Sequence, residues 1–196
     1  MSTRAQPPPD VTDEDLLAES LAAPERFAAL FDRYAPVVHG YLSRRVGTLA
    51  DDLVSETFLL AFRGRTGYVP GRAPVRAWLY GIATNLVRRH ARDEERRYRA
   101  FGRAAGHVES TTELGEVAGR VDAQALRGGL ADALAALPRE DLDVLLLWTY
   151  PQLSYAEIAA ALGIPVGTVR SRLHRARGRV RDHLGDRWLV TEEETA

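Results

Sequence analysis

Cysteine is absent from this 196-residue chain, and so is lysine. Without cysteine there can be no disulfide, no thiolate zinc site and no direct thiol redox sensor. Without lysine, all 26 basic residues are arginine. That usage suits phosphate and base recognition, although a GC-rich coding bias is the simpler cause. No run is long or apolar enough to span a membrane, so no membrane insertion is expected. The opening MSTRAQPPPD lacks the apolar core and cleavage pattern of a secretory signal. His39, His90, His107, His174 and His183 are scattered without metal-ligand spacing, so neither a metal nor a cofactor is expected. There are no paired carboxylates in a metal-site context, no nucleophile–base arrangement and no phosphate-binding Gly-loop motif, which argues against an enzyme. Alternating strand patterns and internal repeats are also missing.

What the chain does have is helical periodicity and unevenly placed charge. Net charge is −1, which alone speaks against a nucleic-acid binder. The distribution of the charge points the other way. Residues 76–103 hold eight arginines against three acids, and residues 166–181 hold six against none. The acids lie elsewhere, including the tail Glu192–Glu193–Glu194. Two separated basic stripes on a near-neutral protein suggest two contacts with one polyanion.

The periodicity divides the chain. Residues 1–11 are Pro-rich and polar and read as a disordered tail. Thr12 or Asp13 is placed to cap a helix reaching Leu21, and Pro24 opens the next one. Phe27, Leu30, Phe31, Tyr34, Val37, Val38 and Tyr41 recur at helical spacing. Residues 51–62 form a third helix with an acidic start, favourable against the helix dipole. The Gly- and Pro-rich stretch RGRTGYVPGRAP (63–74) reads as a loop. A long helix follows from Val75 to about Arg99, with Trp78, Leu79, Ile82, Ala83 and Leu86 as its core stripe. Residues 100–122 have weak periodicity and read as a linker. Helices resume at 123–136 and 139–150, and residues 187–196 form a short tail. The expected fold class is all-α: two small helical domains (12–99 and 123–186) on a flexible linker, the second ending in a helix-turn-helix.

The helix-turn-helix is the most specific local pattern. In LSYAEIAAALGIPVGTVRSRLHRARGRVR (153–181), Ser154 and Glu157 have capping-box spacing. Ile158, Ala161 and Leu162 form an apolar stripe, and Gly163 permits the positive φ that ends the first helix. Pro165 stands near the start of the second, where its missing N–H costs little. At about 100° per residue, Val166, Val169, Leu173 and Ala176 fall inward. Gly167, Thr168, Ser171, His174 and Arg175 fall outward, with Arg170, Arg172 and Arg177 on the flanks. An ordinary solvated helix mixes signs, and this one does not. Its residues are therefore candidates for entry into a major groove. Thr168, Arg170, Ser171, His174 and Arg175 would meet bases, and Arg172 and Arg177 would meet phosphates.

A second constellation lies in APVRAWLYGIATNLVRRHAR (73–92). Arg76, Thr84, Asn85, Arg88, Arg89 and Arg92 are read onto the face opposite the aromatic stripe. Arginines interleaved with a side-chain amide, beside a Gly-rich loop, suit single-stranded nucleic acid. Core packing accounts for Trp78 and Tyr80 at least as well. On the residues alone, a self-sufficient dimeric helix-turn-helix regulator explains 154–181. It leaves residues 51–92 unused and offers no obvious dimerisation helix.

The three segments DDLVSETFLLAF (51–62), RAWLYGIATNLVRRHAR (76–92) and YAEIAAALGIPVGTVRSRLHRAR (155–177), in that order, resemble the extracytoplasmic-function (ECF) sigma factors. These are the smallest members of the sigma-70 family of bacterial RNA polymerase initiation factors. The resemblance implies that residues 51–62 dock on core RNA polymerase, mainly the β′ clamp helices and also β, with Asp51, Asp52 and Glu56 as contacts. It implies that the loop 67–74 and Asn85 receive a flipped base of the promoter −10 element. Arg88, Arg89 and Arg92 would hold its backbone, while Arg170, Ser171, His174 and Arg175 would meet the −35 element. It further implies cytoplasmic location, control by a separate anti-sigma factor and no catalytic residues. Many relatives carry Asp where this chain has Arg89, so the −10 face here is more basic than the family pattern.

Overall fold

The computed structural model describes residues 11–105 and 121–184. The tail before residue 11, the middle of the linker with His107, and everything from residue 185 lie outside the described residues. Among those described, every regular element is helical and no strand occurs. The chain divides into two compact units.

The first unit carries α1 (Asp13–Glu19), α2 (Ala28–Val46), α3 (Ala50–Gly64) and α4 (Val75–Ala105), with short 3₁₀ turns at Pro24–Phe27, Gly47–Leu49 and Arg65–Gly67. Thr12 caps α1: Asp15 N–H donates to Thr12 Oγ1 at 3.1 Å, and Thr12 N–H donates back to Asp15 Oδ2 at 3.3 Å. That reciprocal pair satisfies two of the helix's orphan donors. Helix α1 stops at Glu19, short of Leu21, which is exposed. Gly47 takes φ 54° at the end of α2. A β-carbon would disfavour that conformation, so glycine lets the chain turn at once into α3.

Helices α2, α3 and α4 pack on one another around Leu30, Val38, Leu42, Val54, Ala61, Leu79 and Ala83, all buried. Phe31 meets the edge of Phe58 at 4.9 Å and Phe27 that of Phe62 at 5.3 Å. The ends of the expected loop and linker are more helical than composition suggested. Helix α3 runs through Gly64 and is followed by a 3₁₀ turn, so only residues 68–74 lack helix. Helix α4 continues to Ala105 and α5 begins at Val121. The Arg- and Glu-rich stretch after Arg92 has good helix formers, and these outweigh its lack of an apolar stripe.

The second unit carries α5 (Val121–Ala135), α6 (Arg139–Thr149), α7 (Tyr155–Leu162) and α8 (Val166–Leu184). Helices α5 and α6 both pack against α8. The core is Leu137, Val144, Leu147, Leu153, Ile158, Val169, Leu173 and Ala176. Ser154 N–H donates to Glu157 Oε2 at 2.8 Å and Glu157 N–H to Ser154 Oγ at 3.3 Å, which is the capping box at the start of α7. Gly163, at φ 65°, ends α7, and Ile164 N–H returns to Ala159 O at 3.0 Å. Pro165 follows one residue before α8. The expected helix-turn-helix is therefore present, with its turn chemistry intact.

Candidate nucleic-acid and docking faces

Helix α8 buries Val169, Leu173 and Ala176, but Val166 is 38% exposed and not inward as the helical wheel placed it. Val166 is the first residue of α8, and the inward stripe begins one turn later at Val169. Arg170, Ser171 and His174 are exposed. Ser171 Oγ donates to Thr168 O at 3.1 Å, and Thr168, half-buried, gives its N–H to Pro165 O at 2.9 Å.

Four arginines of α8 are tied to neighbours on α6. Arg175 donates from Nη2 to Asp141 Oδ1 at 3.1 Å and from Nε to Oδ2 at 3.4 Å. Arg179 Nη1 lies 3.5 Å from the same carboxylate. Arg172 pairs with Glu140 and has a side chain only 15% exposed. The guanidinium of Arg177 sits 4.6 Å from the centre of the Trp148 ring, a cation–π contact. Arg175 therefore leans toward α6 rather than pointing straight out, and Arg172 is largely covered rather than standing on a free flank. The reason is that α8 has no acid of its own in 166–181, while the first turn of α6 supplies Glu140 and Asp141. A signal existed: Asp141 lies three residues before Val144 and seven before Trp148, which puts an acid on an apolar stripe.

In the first unit, Asn85, Arg89 and Arg92 are exposed along one side of α4, with Arg88 and Arg76 half-buried. Thr84, read from sequence onto this polar face, is instead fully buried. It donates to Tyr80 O at 2.8 Å and lies 2.8 Å from Tyr41 OH, which accepts from Arg45 Nη1 at 2.7 Å. This relay pins α4 to α2 one residue before Asn85. Tyr41 and Tyr80 meet edge to face at 5.4 Å. Burial, and after it the neighbouring Tyr41, push the Tyr80 phenol up to about 12. Trp78 is half-buried and meets Tyr68 at 5.3 Å with the ring planes tilted by 56°, so it belongs to the 68–74 loop as much as to the core. Tyr68 OH is shared between Ala73 O at 2.6 Å and Glu14 Oε1 at 3.1 Å, which ties that loop to α1. Its phenol is also raised to about 12, by burial first and then by Glu14.

Helix α3 buries Leu53 and Phe58, so these two are core. Asp51 and Asp52 are exposed, and Leu59, 46% exposed, is the large apolar residue beside Asp52 and Glu56. Asp51 Oδ1 lies 3.2 Å from His39 Nε2. Glu56 pairs with Arg89 of α4, so two residues read for different partners meet each other here. Both are at least one-third exposed, which makes the pair worth about 0–1 kcal/mol. Among the described residues no cluster of His, Cys, Asp and Glu could hold a metal ion, and no helix is long and apolar enough to cross a membrane.

Comparison with known proteins places these faces in a family. The profile of Sigma-70 region 2 matches residues 30–97, and that of Sigma-70, region 4 matches residues 127–180. The chain is 36% identical over 166 residues to RNA polymerase sigma factor CarQ of Myxococcus xanthus, covering 84% of this chain and 92% of that one. It is 37% identical over 151 residues to ECF RNA polymerase sigma factor SigL of Mycobacterium tuberculosis, covering 76% and 82%. Among solved structures it is similar to CnrH, determined in complex with the cytosolic domain of CnrY, with a TM-score of 0.61 at 26% identity over 86% of this chain and 94% of that one. The fold also matches the sigma factor RpoE of Bartonella quintana, determined with the anti-sigma factor NepR, with a TM-score of 0.62 at 24% identity over 81% and 96%. With two family segments in order and relatives matched over most of their length, the chain belongs to the ECF RNA polymerase sigma factors.

Proposed function

We propose that this chain is a dissociable, non-catalytic subunit of bacterial RNA polymerase that directs the core enzyme to particular promoters and helps open them. Residues 12–99 act as the core-binding and −10 domain, residues 123–186 as the −35 domain, and residues 100–122 join them along the polymerase interior near the RNA path. Helix α8 enters the major groove of the −35 duplex, where Thr168, Arg170, Ser171, His174 and Arg175 meet base edges, Arg177 faces a phosphate, and Arg172 faces another once it leaves Glu140. The loop 67–74 and Asn85 receive an unpaired −10 base, at an unstacking cost of a few kcal/mol. Arg88, Arg89 and Arg92 follow its backbone. Asp51, Asp52 and Glu56, with Leu59 as apolar contact, dock on the β′ clamp helices, and β makes further contacts. A separate anti-sigma factor masks these faces in the cytoplasm until they are needed.

The observation that carries this reading is the presence of two arginine-rich faces, one on each family segment, together with the exposed acidic start of α3 in the first. Neither a single duplex contact nor an ordinary solvated surface needs all three. The test is Asn85→Ala in the full chain assembled with core polymerase. Opening of duplex promoters should fall and preference at one −10 position should relax. A pre-melted template should restore opening but not the preference. A change confined to −35 preference would show that the domains are assigned the wrong way round.

A further inference from the structure

The second unit holds a buried carboxylate that the promoter-reading scheme does not use. Asp141, 2% exposed, lies in the first turn of α6, outside the helix-turn-helix. Its two oxygens are taken by α8: Oδ1 by Arg175 Nη2 at 3.1 Å, and Oδ2 by Arg175 Nε at 3.4 Å and Arg179 Nη1 at 3.5 Å. A carboxylate is seldom buried without such pairing, because ions lose hydration on leaving water. The geometry of the pair is more informative than its charge. Arginine presents five N–H donors in a planar fork. The contact with Asp141 uses the side of that fork, one N–H on Nε and one on Nη2. The end of the fork, two parallel N–H bonds on Nη1 and Nη2, is left over. That end matches guanine O6 and N7. Arg175 is 51% exposed while Asp141 is 3% exposed in its side chain, so the guanidinium is gripped from inside and open on the outside.

We propose that Asp141 is a positioning residue for sequence recognition: it clamps the side of the Arg175 guanidinium so that its free end meets a guanine edge in one orientation. An unclamped arginine on a groove-facing helix can swing between a base and the nearer phosphate, and the phosphate contact carries no sequence information. The clamp removes that freedom before binding, so base preference improves more than affinity does. Arg179, which shares only one oxygen, balances the buried charge and is not itself aimed. Specificity at the −35 element is on this account set partly from α6. The proposal rests on the reading of α8 as the −35 reader.

The test uses the full chain assembled with core RNA polymerase, titrated against promoter fragments carrying each substitution at each −35 position. The variants are Asp141→Asn, Arg175→Ala and Arg179→Ala. One bidentate arginine contact discriminates by about 5- to 150-fold. Asp141→Asn should lose at least about threefold of that at the position that Arg175→Ala flattens, while binding to the least-preferred fragment stays equal or tightens. Arg179→Ala should leave discrimination unchanged. If Arg175→Ala flattens a position that Asp141→Asn leaves sharp, or if Asp141→Asn weakens every fragment equally, the positioning role is overturned and the −35 reading stands. If Arg175→Ala flattens no position, the base-reading role of Arg175 fails and the positioning role fails with it. A second measurement needs no Asp141 variant to fold. In ¹⁵N spectra of the full chain, the Arg175 guanidinium, identified by its loss in Arg175→Lys, should show slow rotation about Nε–Cζ. Fast averaging there would overturn the clamp.

Discussion

The Tyr41–Thr84 relay offers the sharpest test of how the first unit holds Asn85 in place. Thr84→Val keeps the shape and β-branching of the side chain, so α4 itself is little affected. It removes the hydroxyl that meets Tyr41 OH at 2.8 Å and caps Tyr80 O at 2.8 Å. Tyr41, 1% exposed, then keeps the bond from Arg45 and loses the one to Thr84. Losing two buried hydrogen bonds of the Thr84 hydroxyl costs about 1–3 kcal/mol, and about 2 kcal/mol is expected here. Tyr41→Phe leaves Thr84 bonded to Tyr80 O but removes a charge-assisted bond to Arg45, for about 1.5 kcal/mol. The edge-to-face contact with Tyr80 survives that change. Because the two substitutions share one bond, the double variant should cost about 1 kcal/mol less than the sum. Urea-dependent hydrogen exchange of the α4 amides in the full chain measures all three. Additive costs, or a Thr84→Val variant within about 0.5 kcal/mol of the parent, would refute the relay as the device that fixes α4 on α2.

Charge reversal at Asp52 should weaken binding to core polymerase on the order of tenfold at low salt and much less at high salt, since rim charges act on association rate. Asp52 is the cleaner site than Glu56, whose reversal would also set two cations against each other at Arg89. A folded Asp52→Arg variant with unchanged core affinity would remove α3 from the docking surface. Arg177→Ala should weaken binding to every −35 sequence alike and lower the salt slope by about one ion. An unaltered slope would mean that Arg177 serves only to stack on Trp148.

Helix existence was legible wherever apolar residues recur at 3.6 spacing, and the helix-turn-helix was legible in detail because each residue of its turn has a single physical role. Ser154 with Glu157 caps α7 as their spacing predicts, and Gly163 takes its positive φ. Side-chain destinations were less legible, and for a consistent reason. A helical wheel locates a residue relative to its own axis, while the partner that claims it comes from another helix. Thr84 falls on the polar side of α4, yet Tyr41 of α2 draws it into the core. Arg175 falls on the outer side of α8, yet Asp141 of α6 reaches it. Acids at a helix start read as dipole partners; the place of Asp141 on the apolar stripe of Val144 and Trp148 signals burial, but it does not name the helix, more than thirty residues on, that supplies the partners. Element ends were the other weak point, as at Ala105, where polar composition hid good helix formers.

A promoter-specificity subunit acts only with polymerase. Run-off transcription on a genomic promoter library, with core RNA polymerase alone and with the purified chain added, tests this. A small set of transcripts should appear only when both are present, from promoters sharing one −35 and one −10 element. A chain that binds duplex DNA as a dimer without polymerase, and adds no transcript to the core enzyme, would contradict it.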